Sequence, residues 1–357
     1  MAAHIAASPA QPVIEFLDRM NAAGDGPAAR AVYREAFRRL RSQIDLYPLQ
    51  GRRASVVFES AASTARQLAA HCLPLGIAVA MHLYPLCVLQ CVPLPLLSVA
   101  RFQRALLLRT IRNRSLILAN AGGERTRGAG HSVVARKERD GVRLDGMFEY
   151  MSLASVADLA LFKAPLEGTS DTILCAADLH ADTVHIGHWR FTGGMRLSDT
   201  SPVTFAGHRV PRGRYVVVRD DEALHCTSDY QRCWFHLFLA DIYLARLDRL
   251  HHFWDLPRLD EDVMSLNELS QLRLYALRLL DDFACGSDIR PLKQATSAMK
   301  LRVSVMAQST MALLRDRGED ASELRYIKSQ PTADDLILRS IGLTIPNGVP
   351  AYAHSAN

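Results

Sequence analysis

The spacing of apolar residues divides the chain into three parts. Up to about residue 112, apolar positions recur every three or four residues, as Tyr33, Phe37, Leu40 and Ile44 do among arginines. This is the period of an amphipathic helix whose apolar stripe faces a core. The same period predicts further helices over residues 54–71, 75–91 and 97–112.

Residues 113–220 follow a different pattern, in which short runs rich in Val, Ile and Leu alternate with Gly, Asp and Pro. Such runs, bounded by turn residues, are typical of β-strands, and we expect roughly seven of them. They are RSLILANAGG, HSVVARKERDGVRLDG, DLALFKAPL, DTILCAADL, DTVHIG, VTFAGHRV and RYVVV.

Helical spacing returns over residues 229–343. One apolar face is formed by Cys233, Leu237, Ala240, Leu244 and Leu247. A second face is formed by Met299, Val303, Met306, Thr310 and Leu313. The last dozen residues carry neither period and are predicted to be a tail.

The order of helices, strands and helices predicts an α+β protein of three domains. With 357 residues, 49% of them hydrophobic, the chain is long enough to build a core in each. We expect an N-terminal helical domain at 1–112, a middle β-barrel-like domain at 113–220, a C-terminal helical bundle at 221–346 and a tail at 347–357.

The segment from Cys72 to Ala100 carries no formal charge and is long enough to span a bilayer. Polar residues and prolines interrupt it, namely His82, Gln90, Pro74, Pro85, Pro93 and Pro95. We therefore expect one buried helix followed by a proline-broken connection. The N-terminus has no basic start followed by an apolar run, so no signal peptide is expected. No membrane partner is predicted.

Charge and cysteine content narrow the function classes further. The net charge of +5 is mild, and the arginine-rich stretch Arg101–Arg114 contains only one aromatic residue, Phe102. Nucleic-acid binding would require more aromatic side chains for stacking, so a solvated helix face, or one that meets a phosphate-bearing small ligand, is favoured. The seven cysteines include no CxxC pair, which favours a reduced, cytoplasmic location.

Motifs for metal or nucleophilic chemistry are weak. His185 and His188 would point to opposite faces of a strand, and neither they nor His180 has an acidic or Cys partner at metal-ligand spacing. We predict no metal site. The sequence GGERTRG at 122–128 lacks both common glycine-rich phosphate motifs, and no GxSxG occurs.

Two segments of the predicted β-domain resemble the acyl-CoA dehydrogenase superfamily. That family has a Gly-x-Arg, a small polar triplet, an apolar strand and a closing Val-Pro. Here these are Gly194 and Arg196, the triplet Ser198-Asp199-Thr200, and Val210-Pro211. The upstream segment DGVRLDGMFEYMSLASVADLALFKA resembles the family's hairpin through Gly146, Tyr150-Met151-Ser152 and Ala157-Asp158.

The resemblance implies a flavin site and an oligomer. The hydroxyl that hydrogen-bonds the N5 edge of the flavin in that family corresponds to Ser152, and the aromatic residue flanking the flavin ring corresponds to Tyr150. Asn120 and Thr126 keep hydrogen-bonding side chains in the flavin loop, whose middle has been rewritten. Arg315 takes the place of a Gln that contacts the cofactor of a partner subunit. FAD and a homodimer or homotetramer are therefore expected.

The resemblance also exposes a missing catalytic base. The family takes its catalytic Glu from one of two positions, which correspond here to Gly342 and Gln231, with the neighbouring Arg232 retained. Neither residue accepts a proton, and losing a positioned general base costs about a hundredfold to ten-thousandfold in rate. Asp241 or the pair Asp334–Asp335 could restore a base if the alignment shifts.

Three hypotheses follow for this divergent member. The first is a flavin-dependent enzyme acting on an acyl thioester, bound to coenzyme A or a carrier protein, in specialised metabolism and not in standard β-oxidation; its chemistry would be that of a dehydrogenase or a monooxygenase. The second is a flavin-free enzyme of the same fold that carries out elimination or cyclisation. The third is a non-catalytic subunit of a heteromeric complex.

Overall fold

A computed structural model of the protein describes residues 10–24, 28–48, 51, 53–93, 99–121, 133–218, 221–257, 260–283, 288–319 and 323–324. Within these residues, five helices precede eight strands, and three helices follow. The N-terminal helices are α1 (Ala10–Ala23), α2 (Ala29–Arg41), α3 (Ala54–His71), α4 (Leu73–Cys91) and α5 (Val99–Asn113). The C-terminal helices are α6 (Asp221–Phe253), α7 (Asp260–Asp282) and α8 (Arg290–Asp316). The predicted order of helices, strands and helices is confirmed.

The predicted helices of the first part are present with small shifts of their ends. The apolar pattern that begins at Tyr33 ran on to Ile44, but α2 ends at Arg41. It ends there because the N–H and the hydroxyl of Ser42 both donate to the Arg39 carbonyl, at 3.2 and 2.7 Å. Ile44 instead packs from the following turn against the core.

Helix α4 is the charge-free segment. By length and composition it could cross a membrane, but 78% of its apolar window is buried inside the structure. It packs against α3, α5, α6 and the first strand. A helix that is apolar on all sides belongs in a protein core when neighbours cover all of those sides, so the prediction of a buried helix is confirmed.

The eight strands form two four-stranded sheets. The strands are β1 (Leu118–Asn120), β2 (Val133–Glu138), β3 (Gly141–Met151), β4 (Leu159–Pro165), β5 (Thr172–Asp178), β6 (Val184–Ile186), β7 (Ser201–Pro211) and β8 (Tyr215–Val218). The sheet orders are β1-β4-β5-β8 and β2-β3-β7-β6, and β1 runs parallel to β4. All seven predicted strand runs are strands, and the second run is the hairpin of β2 and β3.

Strand β3 departs from regular pairing with β7 at two places, between Leu144 and Asp145 and between Phe148 and Met151. An extra residue in one strand bends that strand and redirects its side chains. The second irregularity carries the end of β3 toward β1, where Met151 forms an antiparallel bridge with Ala121. The two sheets therefore meet at this point.

A buried ion-pair network joins the N-terminal helices to the C-terminal bundle. Asp241 on α6 is 2% exposed and receives hydrogen bonds from Arg66 on α3 at 2.7 Å and from Arg273 on α7 at 2.9 Å. Both arginines also reach Glu59 on α3. Burial lowers the pKa of Arg273, but the hydrogen bonds that Arg273 donates to Asp241 and Glu59 outweigh this and hold the pKa above its usual value. Two acids and two arginines balance in charge around Asp241, which is the buried ion of the network, whereas Glu59 and Arg66 are 41% and 32% exposed.

His82, in the middle of α4, connects three elements. Its side chain is fully buried, with Nε2 3.0 Å from the Leu46 carbonyl and Nδ1 accepting the N–H of Leu118 on β1 at 2.9 Å. A carbonyl only accepts and an N–H only donates, so the neutral tautomer protonated at Nε2 is the one that satisfies both bonds. Burial lowers the pKa of His82 to about 4.

We expect this histidine to make the protein sensitive to mild acid. Unfolded chains bind a proton at His82 below about pH 6.5, whereas the folded protein binds it only near pH 4. Stability is therefore lost as pH falls between these values, by about 3 kcal/mol in total from this group. Urea unfolding at pH 7 and pH 5 should show a smaller loss for His82→Gln than for wild type. An unchanged loss in His82→Gln, matching that of the exposed-site control His185→Gln, would contradict this role.

Candidate functional site

The site begins where the two sheets meet. Asn120 is the last residue of β1, and Ala121, directly after it, forms the bridge to Met151 of β3. Tyr150 and Ser152 flank Met151 along the chain. The structure therefore brings together three of the residues that the resemblance assigned to the flavin, from positions about thirty residues apart in sequence. Thr126, the other residue assigned to the flavin loop, lies outside the described residues.

Asn120 provides a sheltered polar group. It is 5% exposed, and its side chain makes no hydrogen bond to the part of the chain that the structure describes. Buried amides are ordinarily hydrogen-bonded. Its donor and acceptor atoms are thus available to a ligand or to the adjoining segment.

Tyr150 provides an open aromatic face. Its side chain is 50% exposed and stacks on Phe191, with ring centroids 6.1 Å apart and planes inclined by 28°. The guanidinium of Arg190 lies 5.9 Å from the Tyr150 ring and forms an ion pair with Glu149 at 2.7 Å. An aromatic ring held in this way offers a flat apolar surface to a planar ligand.

Ser152 belongs to a chain of hydroxyl groups. Its Oγ lies 3.0 Å from Oγ1 of Thr200, which lies 2.8 Å from Oγ of Ser198. Ser198 donates to the Met195 carbonyl at 2.9 Å. Ser152 itself is half-buried, whereas Thr200 and Ser198 are buried.

Asp199, between those two residues, holds the turn that follows Ser152. Its buried carboxylate accepts the N–H and the hydroxyl of Ser155, at 2.7 and 2.8 Å, and the indole N–H of Trp189 at 2.7 Å. Burial raises the pKa of Asp199, and the bonds from Trp189 and Ser155 oppose that shift. The sequence marks Asp199 as part of a polar triplet, but no sequence pattern marks Ser155 and Trp189 as its partners.

Helix α2 fastens the same region to the N-terminal helices. Arg30 lies 5.4 Å from the ring of Trp189 and donates to the Ser201 hydroxyl at 2.9 Å. The buried hydroxyl of Tyr33 donates to the Leu197 carbonyl at 3.1 Å. The site therefore depends on packing between the helices and the β-domain, and not on the strands alone.

Gln231, one of the two positions where the family has its Glu, faces α4. Its amide lies beside the hydroxyl of Tyr84, whose ring packs against Phe235 with ring centroids 5.6 Å apart. Burial raises the pKa of Tyr84 above its usual value, so this hydroxyl stays neutral. Arg232 follows Gln231 on α6.

The start of α6 lies close to the strands of the site. Lys163 on β4 donates to the Ser228 hydroxyl, one helical turn before Gln231. Lys163 is two residues beyond Leu161, which is the register partner of Asn120. Leu161 and Lys163 are about 7 Å apart along β4, and Ser228 and Gln231 are about 4.5 Å apart along α6. Gln231 and Asn120 therefore lie in neighbouring parts of the molecule.

Asp241 does not take the place of the missing base. It lies ten residues beyond Gln231, about 15 Å further along α6, and its carboxylate is engaged by Arg66 and Arg273. The other suggested base, Asp334–Asp335, and the second Glu position, Gly342, lie outside the described residues. The carboxylates described near this junction already have partners. Asp158 accepts the N–H of Ile117 at 2.7 Å, Asp199 accepts from Ser155 and Trp189, and Glu149 pairs with Arg190.

Arg315 is exposed in the last turn of α8, far from Ser152. Helices α6 and α8 run in parallel, because Asp229 pairs with Lys293 at one end and His251 with Thr310 toward the other. The distance from the level of Gln231 to that of His251 is about 30 Å. Within one chain, Arg315 therefore cannot contact a ligand bound at Asn120.

The histidines form no metal centre in the described part of the chain, where no group of three or more metal-ligating side chains occurs. His185 is exposed on β6, and His180 lies 3.3 Å from Asp158. The cysteines described with side chains are free thiols.

A cleft of about 350 Å³ lies between α3, α6, α7 and α8. Its polar end is the Asp241 network, and its other walls include Leu244, Leu266 and Met306. It opens beyond Asp241 on α6, away from the Asn120 end. The arginines that line it are already paired with acids, so it offers less for catalysis than the junction of the two sheets.

The groups at the sheet junction fit the edge and face of a flavin ring. A flavin presents a planar ring with hydrogen-bonding nitrogen and oxygen atoms along one edge. The Asn120 amide and the Ser152 hydroxyl supply polar contacts, and Tyr150 supplies a flat surface beside them. These three side chains suit such a ring better than a metal ion, which would need carboxylate, histidine or thiolate ligands.

This chain resembles known proteins in structure but not detectably in sequence. No family model matches the sequence, and no curated protein matches it. Among solved structures, dibenzothiophene monooxygenase TdsC from Paenibacillus sp. A11-2 is similar, with a TM-score of 0.61 and 14% identity over 93% of this chain and 91% of that one. TdsC has also been solved with FMN and indole.

Two further solved structures match this chain along 100% of their own length. PigA with FAD and proline has a TM-score of 0.65 and 13% identity over 96% of this chain. FkbI, described as serving biosynthesis of the methoxymalonyl extender unit of a polyketide, has a TM-score of 0.64 and 15% identity over 95% of this chain. These proteins have the acyl-CoA dehydrogenase fold, and this chain shares that fold over nearly its whole length. The fold expected from the resemblance is confirmed.

Proposed function

We propose that this protein is a flavin-dependent oxidoreductase that binds flavin at the junction of β1 and β3. The observation that carries the proposal is the bridge from Ala121 to Met151, which brings the chain segments of Asn120, Tyr150 and Ser152 next to one another. The flavins bound to similar structures, FMN in TdsC and FAD in PigA, support it. We favour FAD.

Each residue has a distinct task in this proposal. Tyr150 covers one face of the ring, Asn120 bonds its polar edge, and Ser152 lies at the redox-active nitrogen. The buried carboxylate of Asp199 keeps the turn after Ser152 in place. A bound flavin supplies the electron-transfer or oxygen chemistry that side chains lack.

The substrate that we propose is an acyl thioester, carried by coenzyme A or by a carrier protein. The resemblance to a family that acts on acyl thioesters supports this, as does the similarity to FkbI, whose pathway makes an acyl extender unit. The Gln231 amide lies beside the Tyr84 hydroxyl where the family has a base. The reaction is therefore one that needs no carboxylate there, such as hydroxylation, in specialised metabolism.

We further propose a homodimer or homotetramer. Arg315 is exposed at the end of α8, remote from the site of its own chain. In this proposal Arg315 contacts the flavin of a second subunit.

Flavin titration of the purified protein tests the proposal. FAD and FMN should each be added to wild type, with binding followed by quenching of flavin fluorescence. Asn120→Ala is expected to weaken binding about tenfold, because it removes hydrogen bonds from a sheltered site. Ser309→Ala is the matched control, since its hydroxyl bonds only the Val305 carbonyl of its own helix. Equal affinity in Asn120→Ala and wild type would contradict the assignment, and failure of wild type to bind either flavin would favour a flavin-free enzyme or a silent subunit.

A further inference from the structure

The hydroxyl groups of Ser198, Thr200 and Ser152 form a chain of hydrogen bonds. Only one assignment of donors and acceptors satisfies every bond in this chain. Each hydroxyl has one hydrogen to donate. The Met195 carbonyl can only accept, so the hydrogen of Ser198 is used there. The bond between Ser198 and Thr200 must then be donated by Thr200. The bond between Thr200 and Ser152 must in turn be donated by Ser152.

Solvent cannot readily reverse this order. Ser198 is 1% exposed and Thr200 is 4% exposed, so water has little access to the inner hydroxyls. The backbone also keeps the two segments in register, because the N–H groups of Leu153 and Ala154 donate to the carbonyls of Ser198 and Asp199, both at 3.2 Å. Breaking the order would leave a buried hydroxyl or carbonyl without its partner, which is costly.

Ser152 is consequently left with lone pairs and no hydrogen to offer. We infer that Thr200 and Ser198 make Ser152 an obligate hydrogen-bond acceptor, so that the site prefers a ligand with an N–H at this point and binds reduced flavin more tightly than oxidised flavin. The inference rests on the proposed flavin site. Oxidised flavin has a bare nitrogen at N5, which only accepts, whereas reduced flavin carries an N–H there. Thr200 acts through Ser152 and is a positioning residue.

The expected preference is about tenfold in dissociation constant, the usual size of one net hydrogen bond. For a two-electron couple, a tenfold preference raises the midpoint potential of the bound flavin by about 30 mV. A protein that binds reduced flavin better would be suited to receive it already reduced from another protein.

The test compares the affinities of wild type for oxidised and for anaerobically reduced flavin with those of three variants. Thr200→Val removes the acceptor while keeping the shape, so Ser152 regains a hydrogen for oxidised N5 and the tenfold preference should disappear. Ser198→Ala should act in the same direction, because Thr200 can then turn its hydrogen toward Ser152. Ser152→Ala removes the acceptor itself and should abolish the preference as well.

Thr204→Val is the control, since it lies on β7 outside the hydroxyl chain and should keep the wild-type ratio. A wild-type ratio in both Thr200→Val and Ser152→Ala would overturn the inference while leaving the flavin site intact. Equal binding of both redox forms by wild type would also overturn it. Failure of wild type to bind flavin in any form would overturn the proposed function together with the inference.

Discussion

Replacing Asp241 by alanine is expected to lower the free energy of unfolding by about 3 kcal/mol, the lower end of the range for breaking a buried ion pair. The variant leaves Arg66 and Arg273, whose side chains are 32% and 20% exposed, with only Glu59 as a shared partner. Their partial exposure keeps the loss from being larger. Urea unfolding monitored by tryptophan fluorescence measures it.

The exposed pair of Arg278 and Asp282 on α7 provides the control. Their side chains are 82% and 69% exposed, and surface pairs contribute about 1 kcal/mol or less. Asp282→Ala should therefore change stability little. If Asp241→Ala lost no more stability than Asp282→Ala, the network would not be what joins α3 to the C-terminal bundle. Because Asp241 lies remote from Asn120, flavin affinity should be unchanged in the folded variant.

Introducing a base at Gln231 is expected to create dehydrogenase activity that wild type lacks. A positioned general base contributes about a hundredfold or more, so Gln231→Glu should bleach its bound flavin with saturated acyl-CoA thioesters at least about a hundredfold faster than wild type. The measurement is anaerobic stopped-flow absorbance with thioesters of several chain lengths.

Tyr84→Phe separates the new base from a simple change of packing. It removes the hydroxyl beside Gln231 without adding a carboxylate, so it should not accelerate bleaching. Rapid bleaching by wild type itself would show that another residue supplies the base, and would return the protein to ordinary acyl-CoA dehydrogenation.

The strands and the three residues at the sheet junction could be predicted from sequence for different reasons. A strand is predicted from a short stretch of sequence, because its apolar residues and the turns at its ends are close together in the chain. Each of the seven predicted runs contains a strand. Tyr150 and Ser152 were found through the resemblance, because their motif is continuous in sequence. Asn120 also follows from the resemblance, and the bridge from Ala121 to Met151 brings it next to Ser152.

The groups that hold those residues were not predictable, since they come together only in the folded chain. Asp199 meets Ser155 across 44 positions, and Ser152 meets Thr200 across 48. Both Leu153 and Asp199 adopt left-handed backbone conformations, with φ of 59° and 49°, although neither is a glycine. Such positions are uncommon for side-chain-bearing residues and collect at functional sites. No local sequence pattern marks them.

The end of helix α2 and the role of Asp241 also depend on contacts that the local sequence does not reveal. The apolar period extended to Ile44, but hydrogen bonds from Ser42 end the helix earlier. Asp241 carries the right functional group for a base, yet its two arginine partners lie on other helices. The sequence shows which acidic residues could be a base, but only the tertiary contacts show whether their carboxylates are already paired.

The measurement that tests the central claim most directly is the visible absorbance spectrum of the purified protein, with denaturation to release and identify any chromophore. The account predicts oxidised flavin bands, either as purified or after FAD or FMN is added, with about one flavin bound per chain once saturated, and a weaker complex in Asn120→Ala. A colourless protein that takes up neither flavin would contradict it, and would leave the acyl-CoA dehydrogenase fold serving chemistry without a redox cofactor.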